Sequence, residues 1–513
     1  MDDRDDLVRL AQRAMAERGL RAEEAIPWDA APLGVDPRDD PRVRDLTNLP
    51  WSSIDNEDSR DLDQVELAER GDGFTRVMVG IAEVAAYVPP GGASDLFAAA
   101  NATTVYTAGG MFPMLSRALS EDRTSLLGGV SRLALVTSLD VADDGAVLRR
   151  EHFPALVRNR CRLDYLTVSA WLDGASEPPP ALRDDPAMQA QVRLQEAVAE
   201  RLRGRREAAG ALGFTAPEPE LVYDAEGRVV DIVTRTTTRA NRVVESLMLA
   251  VNEAVARSLA DAGYPCLRRV VSAPPRWRRL RELASSWGVA LPEAPDAAAL
   301  AGFLVGVRAS RPEALEEVQV AVMKLVGRGE YRAWWPGDAP AGHFALAVEA
   351  YAHSTAPNRR YPDVVVQRIL HAALRGSAAP YDREALDLVA ARCTDRTIAA
   401  RKVERRIWKS AAALLLADRV GQEFEAVVSG VNGRGVWVRL ARPVVEGRLV
   451  RNAAGLDVGA HVRARLTAFD VEEGHLDFEP VAARRTPVSW KRASPSSRFH
   501  RRHPSRERSP RAM

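Results

Sequence analysis

Asp55-Asn56-Glu57-Asp58-Ser59-Arg60-Asp61-Leu62-Asp63-Gln64 is the stretch that decides the reading of this chain. Its carboxylates crowd together just before an apolar, strand-like run. Crowded carboxylates repel unless a cation sits between them, and hard oxygen donors suit Mg²⁺, with Mn²⁺ as an alternative. A divalent ion held by a few aspartates plus substrate phosphate is a common arrangement for cleaving phosphate esters. The first expectation is therefore a metal-dependent enzyme acting on phosphodiesters.

Outward from this motif, Asp61, Asp63, Val65 and Leu67 alternate as on one face of a strand, with Asp55 on the loop before it. Gly71-Asp72-Gly73 reads as a turn, and Thr75–Val88 as a second, largely buried strand region. Upstream, residues 6–24 have helical character, with Leu7, Leu10, Ala11 and Met15 on one face. Pro27, Pro32, Pro37 and Pro41 then mark an extended linker.

Downstream, Val243, Val244, Leu247, Met248, Val251 and Val255 recur at helical spacing, and Gly263 and Pro265 predict the stop. Residues 297–307 are apolar all round and predict a buried helix. Pro362 stands like the first residue of a helix that runs to Gly376, with Asp363 at its positive end. A longer helix follows over 382–418. From Gln422 to Pro480, short alternating runs with glycines at the bends predict five strands in a small OB-type barrel.

A second motif, His353-Ser-Thr-Ala-Pro357-Asn358-Arg359-Arg360-Tyr361-Pro362-Asp363, sets two arginines directly before a helix start. Guanidinium forks and free helix N–H groups together suit an anion.

Composition narrows the class. The length suggests roughly three domains at ~150 residues each. Cys161, Cys266 and Cys393 are odd in number and far apart, which argues against a disulfide framework or a cysteine zinc site. The start, MDDRDDLVRL, is acidic where a targeting peptide would be basic. No apolar run approaches the ~18 residues of a membrane span. A cytoplasmic protein with no membrane partner is expected. The net charge of +1 hides a basic tail: from Arg484 onward, ten Lys or Arg face the single acid Glu507. That tail is rich in Ser and Pro, which predicts disorder. The preference for arginine over lysine suits phosphate binding, although a GC-rich genome would produce the same bias.

Taken together, these segments resemble the ribonuclease II / ribonuclease R family of 3′-to-5′ exoribonucleases. Ile54–Gln64 resembles the family's aspartate-rich metal motif, and Met78-Val-Gly-Ile-Ala-Glu-Val-Ala-Ala-Tyr87 the strand after it. Thr104-Val-Tyr106, Phe112-Pro-Met-Leu115, Arg162-Leu-Asp-Tyr165, Gly210-Ala-Leu-Gly-Phe214, Val244-Glu245-Ser-Leu-Met248, Gly342-His-Phe344 and His353–Arg368 continue in family order. The resemblance covers about 45–415, and residues 420–481 resemble the S-one-type RNA-binding domain of the same enzymes.

The resemblance implies an α+β chain. It would have a short helical N-terminal region and linker over 1–44 and an RNB-type catalytic domain over 45–418. An OB-fold S-one-type domain would occupy 419–481, and the basic tail 482–513. It implies metal-dependent hydrolysis of single-stranded RNA from the 3′ end, releasing nucleoside 5′-monophosphates, by a monomer with no small-molecule cofactor. Asp55, Asp61 and Asp63 would be the metal positions, with Gln64 as a further candidate, and Asp63 and Arg359 the catalytic ones. Tyr106, Tyr165, Phe214, Arg360 and Glu404 would contact RNA. Taken singly, the aromatics are more often core residues, and Trp334-Trp335 is read as core.

Three departures stand out. Gln64 replaces an aspartate of the family pattern, which motivates an alternative: an RNA-binding protein of this fold with weakened or lost catalysis. Asn358 and Gln367 replace an apolar residue and a histidine, and are expected to be tolerated. Fewer than sixty residues precede the motif where relatives carry cold-shock-type domains, so RNA guiding would rest mainly on the C-terminal barrel.

Overall fold

The computed structural model describes residues 2–22, 26, 36–214, 218–433, 435–451, 453, 455–456 and 458–481. The basic tail and part of the proline-marked linker lie outside these residues. The chain forms two compact units, Met1–Ala417 with Asp470–His475, and Asp418–Phe469 with the chain from Leu476 onward.

The first unit is built on a seven-stranded sheet. Its strands are β1 (Arg44–Asp45), β2 (Ser52–Asp55), β3 (Gln64–Arg70), β4 (Thr75–Ala82), β7 (Ser131–Val141), β8 (Val147–Arg158) and β9 (Cys161–Asp164), with a small hairpin β5 (Val105–Thr107) and β6 (Gly110–Phe112) beside it. The order is β1-β8-β7-β4-β3-β2-β9. The edge pairs β1–β8 and β2–β9 are parallel and the other neighbours antiparallel.

The strand expectations need two corrections. Asp61 and Asp63 precede β3 rather than lying in it, and Asp55 ends β2 rather than occupying a loop. β4 stops at Ala82, because the chain from Val84 turns and bonds Gln367 of the helix over 361–375 instead of continuing the ladder. The β3–β4 turn is as read: Gly71 N–H donates to the Phe74 carbonyl, and Gly73 takes φ +76°, a conformation that favours glycine.

Among the described residues the first unit carries ten helices: α1 (Asp3–Ala16), α2 (Ala93–Asn101), α3 (Tyr165–Leu172), α4 (Pro186–Ala208), α5 (Arg239–Asp261), α6 (Trp277–Ser286), α7 (Ala297–Ser310), α8 (Leu315–Val326), α9 (Tyr361–Arg375) and α10 (Arg383–Leu416). α1 is shorter than read; Leu7, Ala11, Ala14 and Met15 bury its inner face. α5 starts with a Thr238/Asn241 capping box and ends at Asp261, before Gly263 and Pro265. α7 buries only Leu300, Phe303, Leu304 and Val307, while Val305 is exposed, so the all-round apolar reading fails. Small alanines and glycines on its outer face tolerate water.

α9 has Pro362 in its first turn and stops at Gly376, which takes φ +62°. Every residue from Tyr361 to Leu370 is buried, so this helix is the central pillar of the unit. Two further strand pairs complete it, β10 (Glu218–Tyr223) with β11 (Val229–Arg235), and β12 (Cys266–Val270) with β13 (Glu330–Trp334). Trp334 lies in β13 half-buried, with the Arg268 guanidinium 3.7 Å from its ring centroid.

The second unit is a closed barrel in the order β14-β15-β16-β18-β17, formed by β14 (Glu423–Asn432), β15 (Gly435–Leu440), β16 (Glu446–Leu449), β17 (His461–Asp470) and β18 (His475–Pro480). Phe424 and Phe478 meet edge-on inside it at 6.3 Å. A Cβ on Gly447 would stand 2.3 Å from the Phe478 ring, which explains a glycine in that strand. The five-stranded expectation holds here in number and closure.

Candidate active site

Asp63 sits where β3 begins, and its Asp63 carbonyl accepts from Ala82 N–H at 2.9 Å. Its side chain is 1 % exposed. One carboxylate oxygen accepts from the backbone N–H of Asn358 at 3.0 Å, the other from Arg359 Nε at 3.2 Å. The loop before α9 thus delivers both a main-chain donor and a cation to a residue 296 positions away. Burial pushes the Asp63 carboxyl up to about 7; Arg359 offsets part of that rise and Asp61 adds to it. Burial also raises Asp61, helped by Asp55.

Arg359 keeps 49 % of its side chain open. Burial disfavours its charge, but Asp63, Tyr106, Asp55 and Asp61 together hold it firmly protonated. Tyr106, on β5, has its hydroxyl within hydrogen-bonding reach of Arg359. The Tyr106 backbone N–H in turn donates to the Glu404 carboxylate on α10, so Glu404 touches the site through β5.

Asp55 accepts from Ser59 Oγ at 2.8 Å and from Asn56 N–H at 2.7 Å. Arg162 fastens the intervening loop by donating to the carbonyls of Glu57 and Ser59. Gln64 is buried, and its amide donates to the Ile54 carbonyl at 3.4 Å.

Tyr165, Phe214 and Arg359 line one cleft of about 1140 Å³, together with Asn56 and Arg206. Arg360 does not join them. It faces away from Arg359, pairing with buried Asp363 at 2.7 Å. The structure therefore brings Tyr165, Phe214 and Arg359 to one cleft, joins Asp63 and Tyr106 to it through Arg359, reaches Glu404 indirectly, and separates Arg360.

Sequence reading missed three contributors. The Asn358 N–H is a main-chain donor and leaves no trace in side-chain pattern. Several further arginines line the cleft, among them Arg235, Arg239 and Arg242, hidden by the chain-wide arginine bias. Glu66 is 1 % exposed with both carboxylate oxygens unpartnered; burial, then Asp55, raises its pKa well above the usual range.

Gln367, expected merely to be tolerated, has a definite task. Its Oε1 accepts from Val84 and Ala85 N–H, and its Nε2 donates to the Ala82 carbonyl at 2.7 Å. One turn on, His371 Nε2 meets Glu83 at 2.8 Å. These bonds pin the turn after β4 to α9, and Ala82 is the residue that holds the Asp63 backbone. Gln367→Ala removes all three bonds; Val84 N–H and the Ala82 carbonyl keep each other at 3.1 Å, but Ala85 N–H loses its acceptor, at about 1–3 kcal/mol. A urea titration should show that loss, and turnover should fall more than RNA affinity.

The donor set fits a hard divalent cation in kind. Asp61 raises the pKa of Asp63, and Asp55 that of Asp61, and a cation would reverse both effects. Among the described residues, no three carboxylate, imidazole or thiol groups converge on one point.

An arginine held by a buried aspartate at the edge of an aromatic, arginine-lined cleft has the chemistry to take a phosphate-bearing chain. Residues 43–376 match the RNB domain, and residues 422–481 match the RNase II-type exonuclease C-terminal S1 domain. The chain belongs to the RNB family. Ribonuclease R of Vibrio parahaemolyticus is 28 % identical over 506 residues, covering 90 % of this chain and 59 % of that protein. Exoribonuclease 2 of Cronobacter sakazakii is 31 % identical over 404 residues, covering 77 % of this chain and 61 % of that protein. The chain thus spans about three fifths of the length of these relatives.

Mycoplasma genitalium RNase R, solved with ribose-methylated single-stranded RNA, superposes with a TM-score of 0.83 at 21 % identity, covering 93 % of this chain and 78 % of that one. Yeast Ssd1, described as a pseudonuclease, superposes at 0.69 and 17 % identity, covering 90 % of this chain and 58 % of that one. No helix among the described residues is long and apolar enough to cross a membrane.

Proposed function

We propose that this protein is a metal-dependent exoribonuclease that degrades single-stranded RNA from the 3′ end and releases nucleoside 5′-monophosphates. The observation that carries the proposal is the Asp63–Arg359 pair, with Asn358 N–H on the same carboxylate, beside a cleft with Tyr165 and Phe214 in its wall. Asp55, Asp61 and Asp63 would hold Mg²⁺ or Mn²⁺, with Gln64 as a neutral fourth candidate. When bound, such an ion lowers the pKa of water and offsets charge on the reacting phosphate.

The residues of the chain do the rest. Asp63 anchors Arg359 through Nε and the Tyr106 hydroxyl takes a further contact, which leaves the remaining guanidinium donors for a non-bridging phosphate oxygen. Asn358 N–H fixes the Asp63 carboxylate so that this geometry exists before RNA enters. Tyr106, Tyr165 and Phe214 offer faces for bases, which hold any sequence at ~1–3 kcal/mol per base. Glu404 holds the β5 backbone beneath Tyr106, and the barrel supplies a second RNA contact. Arg360, turned to Asp363, supports the loop rather than the scissile phosphate.

The alternative, an RNA-binding protein with weakened or lost catalysis, draws on Gln64: its side chain brings no charge and its amide is engaged with Ile54. Digestion of 5′-labelled RNA decides between the two. With Mg²⁺ a ladder should shorten steadily from the 3′ end to a short limit product, and EDTA should stop it. Full-length RNA that stays bound and intact with Mg²⁺ would establish the alternative.

A further inference from the structure

Tyr106 stands, 43 % exposed, on the hairpin of β5 and β6, whose turn is Ala108-Gly109. A two-stranded hairpin has little stability of its own, so its surroundings decide where Tyr106 stands. The start of the same segment also braces Arg359. Thr104 N–H donates to the Arg359 carbonyl at 2.9 Å, and Thr103 Oγ1 donates to the same oxygen at 3.2 Å. One short element thus carries Tyr106 and fixes the backbone of Arg359.

The N-terminal segment, residues 2–21, grips this element at both ends. At the tip, Gly109 lies against the backbone of α1: a Cβ there would stand 2.6 Å from the Leu7 carbonyl carbon and 2.7 Å from Val8 N. Beside it, the Tyr223 hydroxyl of β10 donates to the Ala108 carbonyl at 2.8 Å. Tyr223 is itself held by the N-terminus. The Arg4 guanidinium lies 4.7 Å from its ring centroid, and Val229 N–H of β11 donates to the Asp3 carboxylate at 2.8 Å. At the base, Asn101 is fully buried at the end of α2 and exchanges two hydrogen bonds of 2.8 Å with the backbone of Arg21.

The segment is firmly seated. Leu7, Ala11, Ala14 and Met15 are fully buried. Arg396 of α10 donates to the carbonyls of Arg18 and Gly19 at 3.1 and 2.8 Å, and Arg406 meets Glu17 at 2.6 Å. Glu404, which accepts from Tyr106 N–H, belongs to the same helix. The hairpin is therefore held from α10 through Glu404, and from the N-terminal segment at its tip and base. Residues 2–21 lie ahead of the region 43–376 that matches the RNB domain. Gly109 and Tyr223 stand outside the wall of the cleft.

We propose that residues 2–21 form a positioning clasp for the β5–β6 hairpin, with Tyr223 as its contact to the turn, and that this clasp sets how tightly Tyr106 and Arg359 grip the 3′ end of RNA. The RNA role rests on the reading above; the clasp itself does not. Tyr223 and Gly109 act through other residues and are positioning residues. A side chain that is already ordered loses less freedom when a base stacks on it, so a stiffer hairpin binds more tightly.

Two variants of the full chain loosen the tip without touching the cleft. Tyr223→Phe removes the hydroxyl and keeps the ring beneath Arg4. The Ala108 carbonyl is half-buried and can turn to water, so this variant should fold. Gly109→Ala drives the turn away from Leu7. Three measurements apply to both: hydrogen exchange of residues 103–112 without RNA, affinity and stoichiometry for a short single-stranded RNA in EDTA, and the length of the limit product with Mg²⁺. In Tyr223→Phe, exchange should quicken roughly fivefold, the weight of one hydrogen bond. Affinity should fall by a similar factor at unchanged stoichiometry and Tm, and the limit product should lengthen. Gly109→Ala should act in the same direction and more strongly. In a Tyr106→Ala background, Tyr223→Phe should cost less affinity than in wild type.

Wild-type exchange in both variants would overturn the proposal, and so would faster exchange with wild-type RNA affinity. A loss confined to Tm or stoichiometry would overturn it by showing a contact that serves folding alone. Equal affinity losses from Tyr223→Phe with and without Tyr106 would overturn it as well. RNA that binds the wild type yet stays uncut with Mg²⁺ would sink the exoribonuclease reading, while exchange and affinity, which need no cleavage, would still decide the clasp.

Discussion

Asp63→Asn is expected to lower RNA cleavage by on the order of a thousandfold, the scale on which a single preorganised electrostatic group acts, while RNA binding changes little. The shape is kept: Asn still offers an oxygen to Asn358 N–H. The charge that holds Arg359, and that would bind the cation, is lost. Single-turnover cleavage and filter binding on the same RNA measure the two effects. Wild-type turnover in this variant would remove Asp63 from the chemistry.

A second readout needs no activity. Burial raises the Asp63 carboxyl to about 7, above its unfolded value of about 3.9. A group with a raised folded pKa contributes its full stability below the unfolded value, and loses it as pH rises through the folded one. The metal-free wild type should therefore lose stability between about pH 4 and pH 7 relative to Asp63→Asn. Divalent metal should restore the loss in wild type only. Parallel Tm profiles for the two proteins would show that Asp63 titrates normally.

Arg359→Ala should cost about 3 kcal/mol of transition-state stabilisation, or roughly a hundredfold in kcat. The residue performs two tasks at once. Its Nε holds Asp63 at 3.2 Å, and its exposed fork faces the cleft. Lysine supplies only a compact point charge and cannot do both, so Arg359→Lys should recover a minor part of the activity. Arg360→Ala should behave differently. It strips Asp363 of its partner at the base of α9, so the loss should be in Tm, with kcat of the folded fraction less affected. Equal kcat losses in the two alanine variants would mean that the opposite facing of the two arginines has no functional meaning.

Much of this was legible along the chain. Period-two alternation and spaced glycines marked the barrel, because each strand's inner face is set by its own residues. Pro362 and Gly376 bounded α9 because their backbone restrictions are local. The crowding of Asp55, Asp61 and Asp63 pointed to a cation through electrostatics alone, and the order of the motifs carried the family.

Other features needed the folded chain. Asp61 and Asp63 looked like strand residues, yet they lie ahead of β3, since ladder pairing with β4 rather than alternation sets where that strand begins. α7 looked buried all round, but packing covers only one of its faces. Arg359 and Arg360 are chemically identical neighbours. One meets Asp63 and the other Asp363, because the loop before α9 turns successive side chains to opposite sides.

Gln367 and Glu66 show the same limit. Nothing in the sequence said that Gln367 would bond three backbone groups nearly three hundred residues away, or that Glu66 would be sealed without a partner. The sequence by itself determined the elements and the chemistry available, since both depend on near neighbours. The tertiary structure alone decided which charges pair, which stay unpaired and which face the cleft. Those outcomes depend on burial and on contacts between residues far apart in the chain, where the loss of water makes each charge strongly dependent on what stands beside it.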